Sequence, residues 1–188
     1  MQGWKVLVAM LLGALLFFGV AALMMPSTFQ VAKALWIPAP PSVVFDVVSD
    51  VRSWERWSIW SRDKDPSMAF GYAGPERGIG ATVRWTSETY GDGQRVVTEV
   101  QTPKRLTLER TLAGSGTPAI ERITLQPLAD ERGSGTRVIW GMAGDVGGDL
   151  SARLGVGVLQ RSAARDYEEN LVRLKHHIET EVLQRPQP

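Results

Sequence analysis

The chain has 188 residues, 44% of them hydrophobic, with 11 Pro and 19 Gly spread along it, which suits one globular domain with a short appendage and excludes a coiled coil. The formal net charge is +1, and Lys5 is the only charged residue before Pro26, so the remainder carries basic and acidic side chains in equal number, which argues against a general polyanion binder. Cysteine is absent, which rules out disulfides, thiol nucleophiles and thiolate metal sites.

Val6 to Met25 is a charge-free run of 20 residues. As a helix rising about 1.5 Å per residue it would reach roughly 30 Å, the thickness of a bilayer core. Trp4 and Lys5 precede it, as suits a membrane interface. The expectation is a transmembrane anchor over residues 1–25 of a single-pass membrane protein, with Lys5 favouring a domain on the extracytoplasmic side. A cleaved signal peptide fits less well, because the run is long and ends without a small-x-small cleavage site. Pro26 to Thr28 would then tether the folded part within about 10 Å of the headgroups.

Phe29, Val31, Leu35 and Ile37 share one parity and predict a strand. Pro38, Pro40 and Pro41 break it, and Ser42 is placed to cap a short helix carrying Val43, Val44, Phe45, Val47 and Val48. Trp54, Trp57 and Trp60 follow at a spacing that puts three rings near one face of a helical turn. Period-two alternation then predicts five strands: around Ala81–Trp85, Val96–Val100, Leu106–Leu112, Ile123–Leu125 and Val138–Met142. In the second of these, Val96, Thr98 and Val100 form one face and Arg95 and Glu99 the other. Short turns such as Gly91-Asp92-Gly93 and Arg132-Gly133-Ser134-Gly135 imply an antiparallel meander. A long amphipathic helix from about Ser151 to Leu183 closes the chain, with Tyr167, Leu171, Leu174 and Ile178 as its apolar stripe and Arg165, Asp166, Glu168, Glu169, Arg173 and Lys175 on its other sides. The dry face of the sheet needs a cover, and this helix supplies the one long stripe available. The domains expected are thus the anchor at 1–25, an α+β cup at 26–184 and a frayed tail at 185–188.

The run Ile37-Pro38-Ala39-Pro40-Pro41-Ser42-Val43-Val44-Phe45-Asp46-Val47-Val48-Ser49-Asp50 resembles the junction of first strand and first helix in the START-like (SRPBCC) superfamily. Arg52-Ser53-Trp54-Glu55-Arg56-Trp57-Ser58 resembles its tryptophan segment, Gly78-Ile79-Gly80-Ala81 its glycine turn, and Gly135 to Gly144 its last strand. The resemblance spans about residues 29 to 180, and its nearest subgroup is the polyketide cyclase/dehydrase-like proteins with an N-terminal hydrophobic span. It implies a helix-grip fold, a curved antiparallel sheet wrapped around the C-terminal helix. It also implies a ligand space between the two, in a superfamily whose members range from lipid transfer to aromatic cyclisation, so fold alone does not deliver function.

Chemistry is sparse. His176 and His177 are adjacent on a helix, point about 100° apart and cannot share a metal through one face. Neither glycine pair continues into a phosphate loop, and Ser151 and Ser162 lack a nucleophile elbow. No metal, cofactor or nucleic acid is expected, and no catalytic constellation is visible. Arg110 has inward parity and suits a ligand carboxylate or phosphate, a rim position, or a pairing with Glu121, which also faces inward. Trp57, Trp60, Tyr72, Trp85, Trp140 and Met142 complete the candidate cavity lining, each equally readable as core packing. The function expected is a membrane-held binding module for a hydrophobic or amphipathic small molecule: a lipid, quinone or polyketide-like compound. The alternatives are a cyclase or dehydratase using the same cavity, and a partner-binding protein whose cavity is filled.

Overall fold

A computed structural model describes residues 2–23, 26–113, 118–131 and 133–184. The elements run α1 (Gln2–Leu23), β1 (Thr28–Ile37), α2 (Pro41–Ser49), α3 (Trp54–Trp57), β2 (Ala69–Ala73), β3 (Thr82–Thr86), β4 (Gly93–Gln101), β5 (Arg105–Leu112), β6 (Ala119–Asp130), β7 (Gly133–Asp145) and α4 (Leu150–His177), which continues into a π-helical turn at Ile178–Val182. The seven strands form one antiparallel sheet in the order β1-β7-β6-β5-β4-β3-β2. Consecutive strands are neighbours from β2 to β7, and β1 returns to pair with β7. α4 lies along β1 and β7, and α2 packs on β5, β6 and β7. The expected α+β helix grip is therefore present.

The N-terminal expectation needs correction. No helix among the described residues is long and apolar enough to cross a membrane, so the single-pass localisation does not stand. Helix α1 approaches α4. The tail expected at 185–188 lies outside the described residues.

Local chemistry accounts for the rest. Pro40 takes the N-cap of α2 with Pro41 behind it, and no side chain caps this helix, so Ser42 does not play the part its type suggests. A proline in the first turn removes a donor that would have been orphaned there anyway. Asp149 does cap α4, accepting from Ser151 N at 2.8 Å and Ala152 N at 3.3 Å. The α4 stripe packs as expected, with Tyr167, Leu171, Leu174 and Ile178 buried. Gly93 lets the Trp85 ring lie against the backbone of β4; a Cβ there would stand 2.8 Å from the Thr111 carbonyl and closer still to that ring.

Two strand features escape the alternation rule. β2 is a short edge strand, half exposed, marked only by Phe70 and Tyr72 two residues apart, which stack at 6.4 Å. β4 carries a bulge between Val97 and Glu99. The extra residue switches parity along the strand. Arg95 and Val97 therefore face the interior, whereas Val96 and Thr98 do not share that face.

Candidate functional site

The concave side of the sheet has two ends. At one end Trp54 and Trp57 of α3, Trp60 beyond it, Trp140 of β7 and Tyr167 of α4 form a continuous aromatic cluster with centroids 5.3 to 6.4 Å apart. Asn170 Oδ1 accepts from Ile59 N at 2.9 Å and fastens the tryptophan segment to α4. This end is packed; the small void beside Trp60, Tyr72, Trp85 and Arg95 measures about 10 Å³. That is room for one water at most.

At the other end a cleft of about 670 Å³ opens between the N-terminal half of α4 and the ends of β5, β6 and β7. Phe29, Leu112, Ala119, Met142, Leu159 and Ala163 give it apolar walls. Helical spacing explains the α4 contribution: Ala152, Leu159, Ala163 and Asp166 fall at i, i+7, i+11 and i+14, a second stripe beside the packed one. Tyr90 enters from the turn between β3 and β4. That turn is fixed by Asp65, which accepts from Ser67 Oγ at 2.6 Å and from Ser87 Oγ at 2.5 Å, while Ser87 Oγ accepts from Tyr90 N at 2.7 Å. The two serine hydrogen bonds hold the Asp65 carboxyl down at about 2.

A buried charge network separates the two ends. Glu121, wholly buried, accepts from Arg95 Nε at 2.9 Å and from the Tyr167 hydroxyl at 3.1 Å, and Arg110 Nη1 lies 3.5 Å away. Burial pushes the Glu121 carboxyl up, but the two guanidinium charges and the hydrogen bonds outweigh it and leave it below the usual carboxylate range. Burial likewise lowers Arg95, with Glu121 opposing, and raises Tyr167 far above an ordinary phenol. Arg95 also lies over the Trp60 ring at 3.9 Å and the Trp85 ring at 4.8 Å. With two arginines to one carboxylate the network carries a surplus positive charge, and Arg110 brings it to the cleft wall, its side chain 13% exposed.

Of the residues singled out from sequence, Arg110 and Met142 line the cleft and touch each other, Nη1 to Sδ at 3.9 Å. Glu121 lies behind Arg110, sealed from the cleft. Trp60, Tyr72 and Trp85 border the one-water void, and Trp57 and Trp140 are core. Sequence reasoning passed over Arg95, Tyr90 and Asp166. The adjacent Val96-Val97 pair leaves the parity of β4 ambiguous, which was the available signal for Arg95. Asp166 extends the Ala152-Leu159-Ala163 spacing, which was the signal for it. Asp166 is half-buried, and burial raises its carboxyl, with Arg110 and Arg165 opposing.

The sequence model of the family described as polyketide cyclase / dehydrase and lipid transport matches residues 28–179. No curated protein matches the chain. Among solved structures, a protein of unknown function, SA2116, from Staphylococcus aureus aligns with TM-score 0.64 at 12% identity, over 84% of this chain and 97% of its own. Truncated norcoclaurine synthase from Thalictrum flavum aligns with TM-score 0.59 at 12% identity, over 82% and 94%. DynU16, from the dynemicin biosynthetic locus, aligns with TM-score 0.56 at 19% identity over 80% of this chain; the chain spans 47% of that protein's length. Identities this low show the fold alone. The family match covers most of the chain and bears out the START-like resemblance of its proline junction, tryptophan segment and last strand: the chain belongs to the polyketide cyclase / dehydrase and lipid transport family.

Proposed function

We propose that the chain binds an amphipathic small molecule in the cleft under α4, apolar body against Phe29, Leu112, Met142 and Leu159, oxygen-bearing end on Arg110. The observation that carries this reading is the cleft itself: about 670 Å³, walled by apolar side chains, with a surplus positive charge at its inner side. Volumes of roughly 300–1,000 Å³ with few convergent polar groups are those of small-molecule sites. Apolar area removed from water supplies affinity, at about 25 cal/mol per Å². Arg110 supplies orientation, because Glu121 occupies only one side of its donor fork. Lipid, quinone and polyketide-like ligands all satisfy this description. A cyclase or dehydratase using the same cleft is the second reading, favoured by the half-buried Asp166 on the cleft wall.

Native mass spectrometry of the full-length chain, paired with solvent extraction, tests the proposal. A stoichiometric amphipathic mass is expected, together with saturable uptake of 1-anilinonaphthalene-8-sulfonate. Ala163→Trp, which fills the cleft, should abolish uptake while the far-UV circular dichroism stays unchanged. An empty protein that takes up no apolar probe, or probe uptake indifferent to Ala163→Trp, overturns it.

A further inference from the structure

The sheet ends in β1 on one side and β2 on the other. The β1 edge is guarded. α4 lies along it, Gln160 Nε2 donates to the Gln30 carbonyl at 3.2 Å, and Lys33 stands in mid-strand, paired with Glu168 at 2.7 Å. Covers and charges of this kind stop an edge from recruiting another strand. The β2 edge has neither. Ala69–Ala73 carries no charge, no proline and no bulge. Among the described residues its backbone makes no hydrogen bond beyond the pairing with β3.

The order of side chains states what this edge fits. Ala69-Phe70-Gly71-Tyr72-Ala73 reads small, aromatic, small, aromatic, small from either end. An antiparallel copy centred on Gly71 sets Gly71 against Gly71, Phe70 against Tyr72 and Ala69 against Ala73. Aromatic pairs directly opposite each other stabilise antiparallel strands, and a twofold dimer requires a patch that matches itself. Phe70 and Tyr72 are only half-buried, so each ring has surface left to cover. The flanks match in charge as well. At one end Arg62 Nε donates to the Met68 carbonyl at 3.3 Å. At the other stands Glu76, 82% exposed and only loosely held by Arg52 at 3.6 Å. The same register sets Met68 against Gly74 and so carries Arg62 of one copy toward Glu76 of the other.

We infer that β2 is a docking edge for a second copy of this chain: two β2 strands pair antiparallel about Gly71 and join two sheets into one. Five residues reach about 17 Å, so the contact is small and the dimer reversible.

Sedimentation velocity of the full-length chain, up to about 1 mM, should show a reversible monomer–dimer equilibrium. Gly71→Lys sets like charges against each other at the twofold and should weaken the dimer at least about tenfold. A Cβ at Gly71 meets nothing within 4 Å, so the far-UV circular dichroism should stay unchanged. Mixing Gly71→Lys with Gly71→Glu should restore a heterodimer. Register is read by cysteine, which the chain lacks. Gly71→Cys should oxidise to a linked dimer, because directly opposed residues stand about 4.5–5.5 Å apart. Ala69→Cys should link to Ala73→Cys far faster than to itself. A chain monomeric throughout, as an edge kept for another protein's strand would leave it, overturns the proposal. So does an oligomer unmoved by Gly71→Lys, as association through exposed α1 side chains such as Leu7 and Leu11 would give. Should Gly71→Lys fail to fold, linkage of Gly71→Cys no faster than that of the exposed Gln126→Cys overturns it alone.

Discussion

The two ends of the concave face differ in what their residues are for. The packed end holds the most conspicuous side chains of the sequence, Trp54, Trp57, Trp60 and Trp140, all nearly inaccessible. The open end is lined by ordinary ones: Phe29, Leu112, Met142, Ala163 and Asp166. Large rings fill volume and so remove the space a ligand needs. Small residues on α4, Ala152 and Ala163, leave it. Aromatic abundance in this chain marks the core, and small residues at helical spacing mark the site.

Substitutions should separate the two ends, and the largest effects belong to the packed one. Trp140→Ala is expected to cost roughly 3–5 kcal/mol in urea denaturation, because Trp140 touches Trp54, Trp57, Trp60 and Tyr167. Glu121→Leu should cost a similar amount, roughly 3–5 kcal/mol, since it leaves Arg95 buried without its carboxylate. Adding Arg95→Met to Glu121→Leu should recover most of that loss, and a double-mutant cycle measures the coupling. A double variant no more stable than Glu121→Leu alone would place the cost elsewhere than in the orphaned charge. At the open end Arg110→Ala should change stability by about 1 kcal/mol, yet weaken 1-anilinonaphthalene-8-sulfonate about tenfold, a loss of about 1.4 kcal/mol. Unchanged probe affinity would remove Arg110 from the site.

Titration sharpens the same contrast more gently. Asp65 titrates at about 2 in the folded chain against an ordinary value of 3.8. The unfolded state therefore binds the proton first as pH falls. The contribution is fully present above about pH 4 and disappears progressively as pH drops toward about 2. Ser87→Ala should flatten that acid limb in pH-dependent thermal melts and loosen Tyr90 at the cleft rim. Tyr72 moves the other way: burial foremost, then the charge of Glu55, raises its phenol to about 12 from 10.0. The unfolded chain loses this proton first, so stability should fall between about pH 10 and about pH 12, and Tyr72→Phe should remove that fall.

Much of the architecture was legible because periodicity is a direct image of burial. Parity in β3, β5, β6 and β7 and the Tyr167-Leu171-Leu174-Ile178 stripe each matched the buried face. Ser42 misled because the helix begins one residue earlier, with Pro41 already inside it and Pro40 at its N-cap. The site was less legible, because inward parity states which side chains leave water and not whether anything packs against them. Trp85 and Met142 both face inward; one borders a one-water void and the other a cleft. Asp166 sat among charged neighbours, and its place on the cleft wall follows from a stripe that only the placement of β5 and β7 gives meaning.

The bulge in β4 has a consequence for how this interior changes over generations. Thr98 is the residue the β4–β5 ladder leaves unpaired, and it takes up the change of parity, so Arg95 and Val97 before it and Val100 after it all lie on the inward face. Deleting Thr98 would make the ladder regular, with Arg95 still opposite Arg110 and Val100 still opposite Leu106. A lineage can therefore gain or lose a single codon at this point of the strand and keep both its charged interior and its apolar one in place.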